Sequence, residues 1–146
     1  MQTDSLENSS DLVSIQSPLR CLLVDDEPLI LMVLSKFLAN TNTELVSTSN
    51  AADAITAAES ERFDILITDR FMPGMDGMTL AKILKRRHPY LKTIVISGIP
   101  PSCTTQIDAF LQKPFTQAGL LEIVHSLTPP EKRSNQGTPA CAPVSA

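Results

Sequence analysis

Short apolar runs recur along the chain, and between them the apolar positions widen to helical spacing. The runs predict strands over 20–25, 44–48, 65–69, 93–97 and 109–112, and the spaced stretches predict helices over 28–39, 51–60, 78–87 and 117–126. Several ends are marked. Pro28 suits a first helical turn, Asn50 suits an N-cap, and Arg86, Arg87 and His88 sit where a helix C-terminus favours cations, with Pro89 stopping it. Strict alternation of apolar strands with helices predicts a parallel sheet covered on both faces. In the first helix Ile30, Val33, Leu34, Phe37 and Leu38 form one stripe, whereas Leu29, Leu31 and Met32 lie off it and are also apolar.

The connection between the fourth and fifth strands breaks the rhythm. Only residues 98–108 are available for it, and Gly98, Pro100 and Pro101 spoil the first part. What remains, 102–108, allows at most about two helical turns at roughly 3.6 residues each. A helix so short is marginal without strong packing, and Ile107 is its only large apolar residue. A fourth helix is therefore expected to be short or absent.

A chain of 146 residues is large enough for one domain with a real core. Residues 1–18 are rich in Ser, Asn and Asp and predict a disordered leader. Residues 128–146 predict a disordered Pro-rich tail, leaving 19–127 as the folded unit. The net charge of −4 gives no basic face for nucleic acid. No apolar run is long enough to cross a membrane, and the acidic N-terminus is no signal peptide. Cys21, Cys103 and Cys141 show no metal spacing and fit a reducing cytoplasm.

Chemistry concentrates at strand ends. Asp25 and Asp26 close the first run, Asp69 closes the third, Ser97 closes the fourth, and Lys113-Pro114 follows the fifth. In an open parallel sheet the carboxyl ends of the strands share one edge, where ligands bind. Three carboxylates and an amine should converge there. Two like charges ~4 Å apart repel by about 4 kcal/mol at an effective dielectric near 20, so the arrangement is tolerable if a cation sits among them or one acid is protonated. Hard oxygen donors suit Mg²⁺, with Mn²⁺ or Ca²⁺ as alternatives. Asp69 is the candidate nucleophile, since a carboxylate can accept a phosphoryl group, and Lys113 and Ser97 are placed to meet its oxygens. A bland reading has Asp25 and Asp26 capping the helix at Pro28, Ser97 in a simple turn, and Lys113 on the surface. The four positions taken together favour a site. His88, His125 and the run Lys85-Arg86-Arg87-His88 read as surface or helix-end residues.

The set Val24-Asp25-Asp26-Glu27, Asp69-Arg70-Phe71-Met72-Pro73-Gly74-Met75-Asp76-Gly77, Ile96-Ser97-Gly98 and Lys113-Pro114-Phe115 resembles the receiver domain of two-component response regulators, over about residues 19–127. The resemblance implies a flavodoxin-like (βα)5 fold with strand order 2-1-3-4-5. It implies that Asp69 is the phosphoacceptor. Asp26 would be a direct Mg²⁺ ligand, Asp25 a water-mediated one, and the backbone carbonyl of Phe71 would complete the shell. Ser97 would be a switch hydroxyl, Phe110 a switch aromatic (its bland alternative is core packing), and Lys113 the phosphoryl-pairing lysine with a cis bond to Pro114. A sensor histidine kinase or a histidine phosphotransfer protein would be the donor, docking on the first helix near Leu29, Leu31 and Met32 (the alternative is a broadly buried helix or scattered exposed apolar residues), and the downstream partner is unassigned. The family's usual dimer face includes the fourth helix, so dimerisation is left open, and the connection over 98–108 is a candidate loop ordered by phosphorylation. Phe71 and Ile99 are apolar where the family tunes hydrolysis, which favours a long-lived phosphoryl state.

With no output domain expected to follow, the implied molecule is a single-domain regulator that catalyses its own phosphorylation and dephosphorylation but acts as a switch, not as an enzyme on other substrates. The alternative is a phosphorylation-independent protein-binding module on the same fold. A phosphatase of the haloacid-dehalogenase kind would need an acid at position 71, which is Phe. A flavin carrier would need a Ser/Thr/Gly-rich loop after the first strand, which is absent.

Overall fold

The computed structural model describes residues 17–104 and 106–132. Five strands, β1 (Leu19–Val24), β2 (Thr43–Thr48), β3 (Ile65–Asp69), β4 (Lys92–Ser97) and β5 (Ala109–Gln112), form one parallel sheet in the order β2-β1-β3-β4-β5. Four helices accompany them: α1 (Pro28–Phe37), α2 (Ala51–Ser60), α3 (Gly77–Arg87) and α4 (Gln117–Leu127). The flavodoxin-like order is the expected one, and each observed boundary lies within two residues of the predicted one.

Burial explains the strand sequences. Central β3 has neighbours on both edges and helices over both faces, so all five of its residues are buried. Leu22, Val24, Leu66 and Val95 pack beneath α2 and α3. Cys21, Leu23, Ile65, Ile67, Ile94 and Ile96 pack beneath α1 and α4. Each fully buried Leu or Ile contributes on the order of 2 kcal/mol. The helices start as their sequences require. Asn50, Asp76 and Thr116 each accept a hydrogen bond from a first-turn amide, of Asp53, Thr79 and Gly119 respectively. In α1, Leu34 is buried, as is Leu38 at the C-cap, while Leu29 and Met32 are 70 % and 54 % exposed. Leu31, off the predicted stripe, nevertheless packs against the core.

Among the described residues no helix links β4 to β5. The connection is anchored at its far end instead. Ile107 packs onto the α2–α3 side of the core. The Asp108 carboxylate accepts from Lys85 Nζ at 2.7 Å and from the Thr93 amide at 2.8 Å. Burial works against that charge, but these partners outweigh it and hold the Asp108 pKa below the usual carboxylate range.

The boundary at 127 needs correction. Residues 128–132 are structured: Thr128 is buried with its hydroxyl donating to Val124 O, and Pro130–Lys132 form a 3-10 turn. Lys132 Nζ reaches back to Asp64 Oδ2 at 2.8 Å and to Pro18 O at 3.2 Å. A composition-based reading of the tail missed this buried ion pair. The leader over 1–16 and the tail over 133–146 lie outside the described residues.

Candidate phosphorylation and metal site

Asp25 and Asp26 follow β1, Asp69 ends β3, Ser97 ends β4 and Lys113 follows β5, so strand order alone gathers them at the carboxyl edge. One carboxylate oxygen from each of Asp25, Asp26 and Asp69 lies within 4.8 Å of the others. Lys113 Nζ sits 2.8 Å from Asp69 Oδ1. Lys113 is held in turn by its backbone amide, which donates to Ser97 O, and its bond to Pro114 is cis.

The three acids are differently solvated. Asp26 is exposed, Asp69 is 8 % exposed, and Asp25 is 1 % exposed. Asp25 Oδ1 accepts from the Glu27 amide at 2.8 Å, but buried Oδ2 has no partner. Burial pushes the Asp25 carboxyl up to about 6; the Glu27 amide opposes this, and the charges of Asp69 and Asp26 add to it. Burial also works against the Lys113 ammonium, yet the hydrogen bond and charge of Asp69, with Asp25 and Glu27 beyond, raise its pKa above that of an ordinary lysine.

An orphaned, buried carboxylate oxygen beside two further acids is a donor set short of a cation. Oxygen donors alone, with no His or Cys among them, match a hard divalent ion and fit Mg²⁺ or Mn²⁺.

Backbone packing brings α3 close to the site. Gly77 N donates to Arg70 O at 2.6 Å, and a Cβ on Gly77 would lie 2.1 Å from Asp69 O. Only glycine permits this approach. Gly74, with φ of +89°, makes the turn before it.

The remaining predicted positions surround this centre. Ser97 is buried, and its Oγ accepts from the Ile99 amide at 3.1 Å. Phe110 is half-buried on β5, in register with Val95. Phe71 and Ile99 are 56 % and 64 % exposed. His88 and His125 lie at the C-terminal ends of α3 and α4, away from the acids. Arg70 was legible only as part of a motif: its Nη1 donates to Ile99 O at 3.1 Å, and its guanidinium lies 4.8 Å from the Phe71 ring centroid. Nothing in the sequence pairs positions 70 and 99.

The family model for the response regulator receiver domain matches residues 21–125. The DNA-binding transcriptional regulator NtrC of Escherichia coli strain K12 is 39 % identical over 76 residues, covering 52 % of this chain and 16 % of that protein. The chain thus spans about a sixth of the length of that relative. The signal receiver domain of an HD domain-containing protein from Pseudomonas fluorescens Pf-5 has a TM-score of 0.73 at 25 % identity, covering 77 % of this chain and 88 % of that one. The response regulator protein TrrA of Thermotoga maritima, solved in complex with Mg²⁺-BeF, has a TM-score of 0.70 at 27 % identity, covering 75 % and 99 %. Among the described residues no helix is long and apolar enough to cross a membrane.

Proposed function

The chain belongs to the response regulator receiver domain family of two-component signalling, and from that premise we propose that it is a Mg²⁺-dependent phosphoacceptor whose acceptor is Asp69. One observation carries the reading: three carboxylates within 4.8 Å of one another, with Lys113 Nζ 2.8 Å from Asp69. An Asp69 oxygen attacks the phosphorus of the donor. The new O–P bond forms as the bond from phosphorus to the donor's imidazole nitrogen breaks. Lys113 neutralises charge on the transferring oxygens, and the Ser97 hydroxyl donates to the same group. Asp25, Asp26, Asp69 and the Phe71 carbonyl would hold the metal ion, which supplies positive charge to offset that of the acids and the phosphoryl group. The relative TrrA was solved with Mg²⁺-BeF, which supports this assignment by analogy. In this reading Phe110, on the strand next to Ser97, is the switch aromatic.

The donor in this reading is a sensor histidine kinase or a histidine phosphotransfer protein, and the downstream protein is unassigned. Exposed Leu29 and Met32 on α1 form an apolar patch suited to donor docking. Changing both to Lys slows transfer from a phosphorylated phosphotransfer protein and spares labelling by acetyl phosphate. Equal loss with both donors would remove the docking role. The unpaired thiol of buried Cys21 fits a cytoplasmic setting. The deciding test is intact mass after incubation with Mg²⁺ and acetyl phosphate. The natural chain gains one phosphoryl group and Asp69→Asn gains none. No gain by the folded natural chain would favour a phosphorylation-independent binding module.

A further inference from the structure

The connection from β4 to β5 has few backbone donors near its start. Pro100 and Pro101 carry no N–H, and no helix among the described residues supplies hydrogen bonds. Ile99 is nevertheless gripped at both ends. Its amide donates to Ser97 Oγ at 3.1 Å, and its carbonyl accepts from Arg70 Nη1 at 3.1 Å. Arg70 is itself fixed on three sides. Its amide donates to Ile96 O at 2.9 Å, its carbonyl accepts from Gly77 N, and its guanidinium lies over the Phe71 ring. A rigid residue next to Asp69 thus reaches across to the residue that hydrogen-bonds Ser97.

The bond to Ser97 has a direction that matters. The Ile99 amide occupies an acceptor lone pair of Oγ, so the hydroxyl proton stays free to be donated elsewhere. We propose that Arg70 is a positioning residue that, by holding the Ile99 carbonyl, orients the Ser97 hydroxyl for the phosphoryl group on Asp69. The inference rests on the phosphoacceptor reading above. Arg70 acts through Ile99 and Ser97, and its charge near the site is not what counts.

Two measurements on the full chain test this, using Arg70→Met and Arg70→Gln so that misfolding of one leaves the other. The first is amide hydrogen exchange at Ile99 without any donor; losing the Arg70 bond raises it several-fold in both variants. The second is the initial rate of mass gain with Mg²⁺ and acetyl phosphate. Losing a bond of ordinary strength slows labelling by about 3- to 10-fold. In a Ser97→Ala background the same Arg70 change has no further effect. Unchanged exchange at Ile99 would overturn the proposal. An equal slowing with and without Ser97 would overturn it too, because Arg70 would then act as a charge. If the natural chain takes no phosphoryl group, the phosphoacceptor reading falls and the role of Arg70 falls with it, whereas the exchange result still reports the Ile99 grip.

Discussion

Asp64 immediately precedes β3 and Asp69 is its last residue. Each is 8 % exposed, and each has a lysine ammonium 2.8 Å from a carboxylate oxygen. Their surroundings differ. At the amino edge, Asp64 Oδ2 accepts from both the Arg20 amide and Lys132 Nζ, and no buried side-chain atom of Asp64 lacks a partner. At the carboxyl edge, Asp69 faces two more acids, one with an orphaned buried oxygen. The first arrangement is closed; the second is crowded, with one buried carboxylate oxygen left without a partner despite the nearby Lys113. Burial and a lysine partner therefore do not identify a functional acid. What separates the two ends of β3 is the unpartnered Asp25 oxygen beside Asp69.

The sharpest way to break this comparison is to neutralise each acid in turn. Asp64→Asn leaves the largely buried Lys132 ammonium without a counter-charge. Removing one partner of a buried pair costs about 3 kcal/mol, here a fall in Tm of roughly 10 °C. It should leave acetyl phosphate labelling intact at temperatures where the variant is folded. Asp69→Asn has the opposite profile: labelling is abolished and Tm in metal-free buffer is unchanged or higher, because like-charge crowding is relieved. Equal destabilisation by both changes, read by thermal melts, would erase the distinction.

Next in size is Gly77→Ala. The added methyl meets Asp69 O, a backbone atom that cannot yield cheaply. Overpacking of this kind costs about 2 kcal/mol, with labelling slowed because the Asp69 backbone shifts. The change leaves every carboxylate in place. A melt showing no loss would mean that α3 does not hold the carboxyl edge as tightly as this packing requires.

How much was legible in the sequence follows the same divide. Asp25, Asp26, Asp69, Ser97 and Lys113 each end or follow an apolar run, so a parallel sheet gathers them whatever the side chains do. That the described residues hold no helix after β4 was legible because the connection is only 98–108 and Gly98, Pro100 and Pro101 spoil its start. What replaces that helix was not. The ties from Asp108 to Lys85 and Thr93, from Arg70 to Ile99, and from Lys132 to Asp64 join positions 15 to 68 residues apart. No local periodicity or motif encodes such pairs. Lys132 was hidden further by its setting, since a Pro-rich stretch predicts disorder by composition while one buried ion pair can order five residues.

The smallest effect expected is the pH dependence that Asp25 imposes on the metal-free protein. Its folded-state pKa is raised from 3.8 to about 6. Below about pH 4 it is protonated in both folded and unfolded chains and contributes nothing. Between about 4 and 6 the unfolded chain has released its proton and the folded one has not, so stability falls as pH rises. Above 6 both are ionised and the loss is complete. Asp26 beside it is exposed, so solvent screens the site and the loss is about 1–2 kcal/mol. Asp108 acts in the other direction and in another window: its lowered pKa gives stability that is lost only as pH drops below the ordinary carboxylate range. Denaturant melts of the natural chain and Asp25→Asn, compared from pH 4 to 7 in chelator, isolate the effect as their difference. The variant gains stability relative to the natural chain as pH rises, and Mg²⁺ at ~100 times its Kd adds about 2.7 kcal/mol to the natural chain. A pH-independent difference would mean that the orphaned oxygen of Asp25 carries no penalty, and the crowded edge would then be no less settled than the closed one.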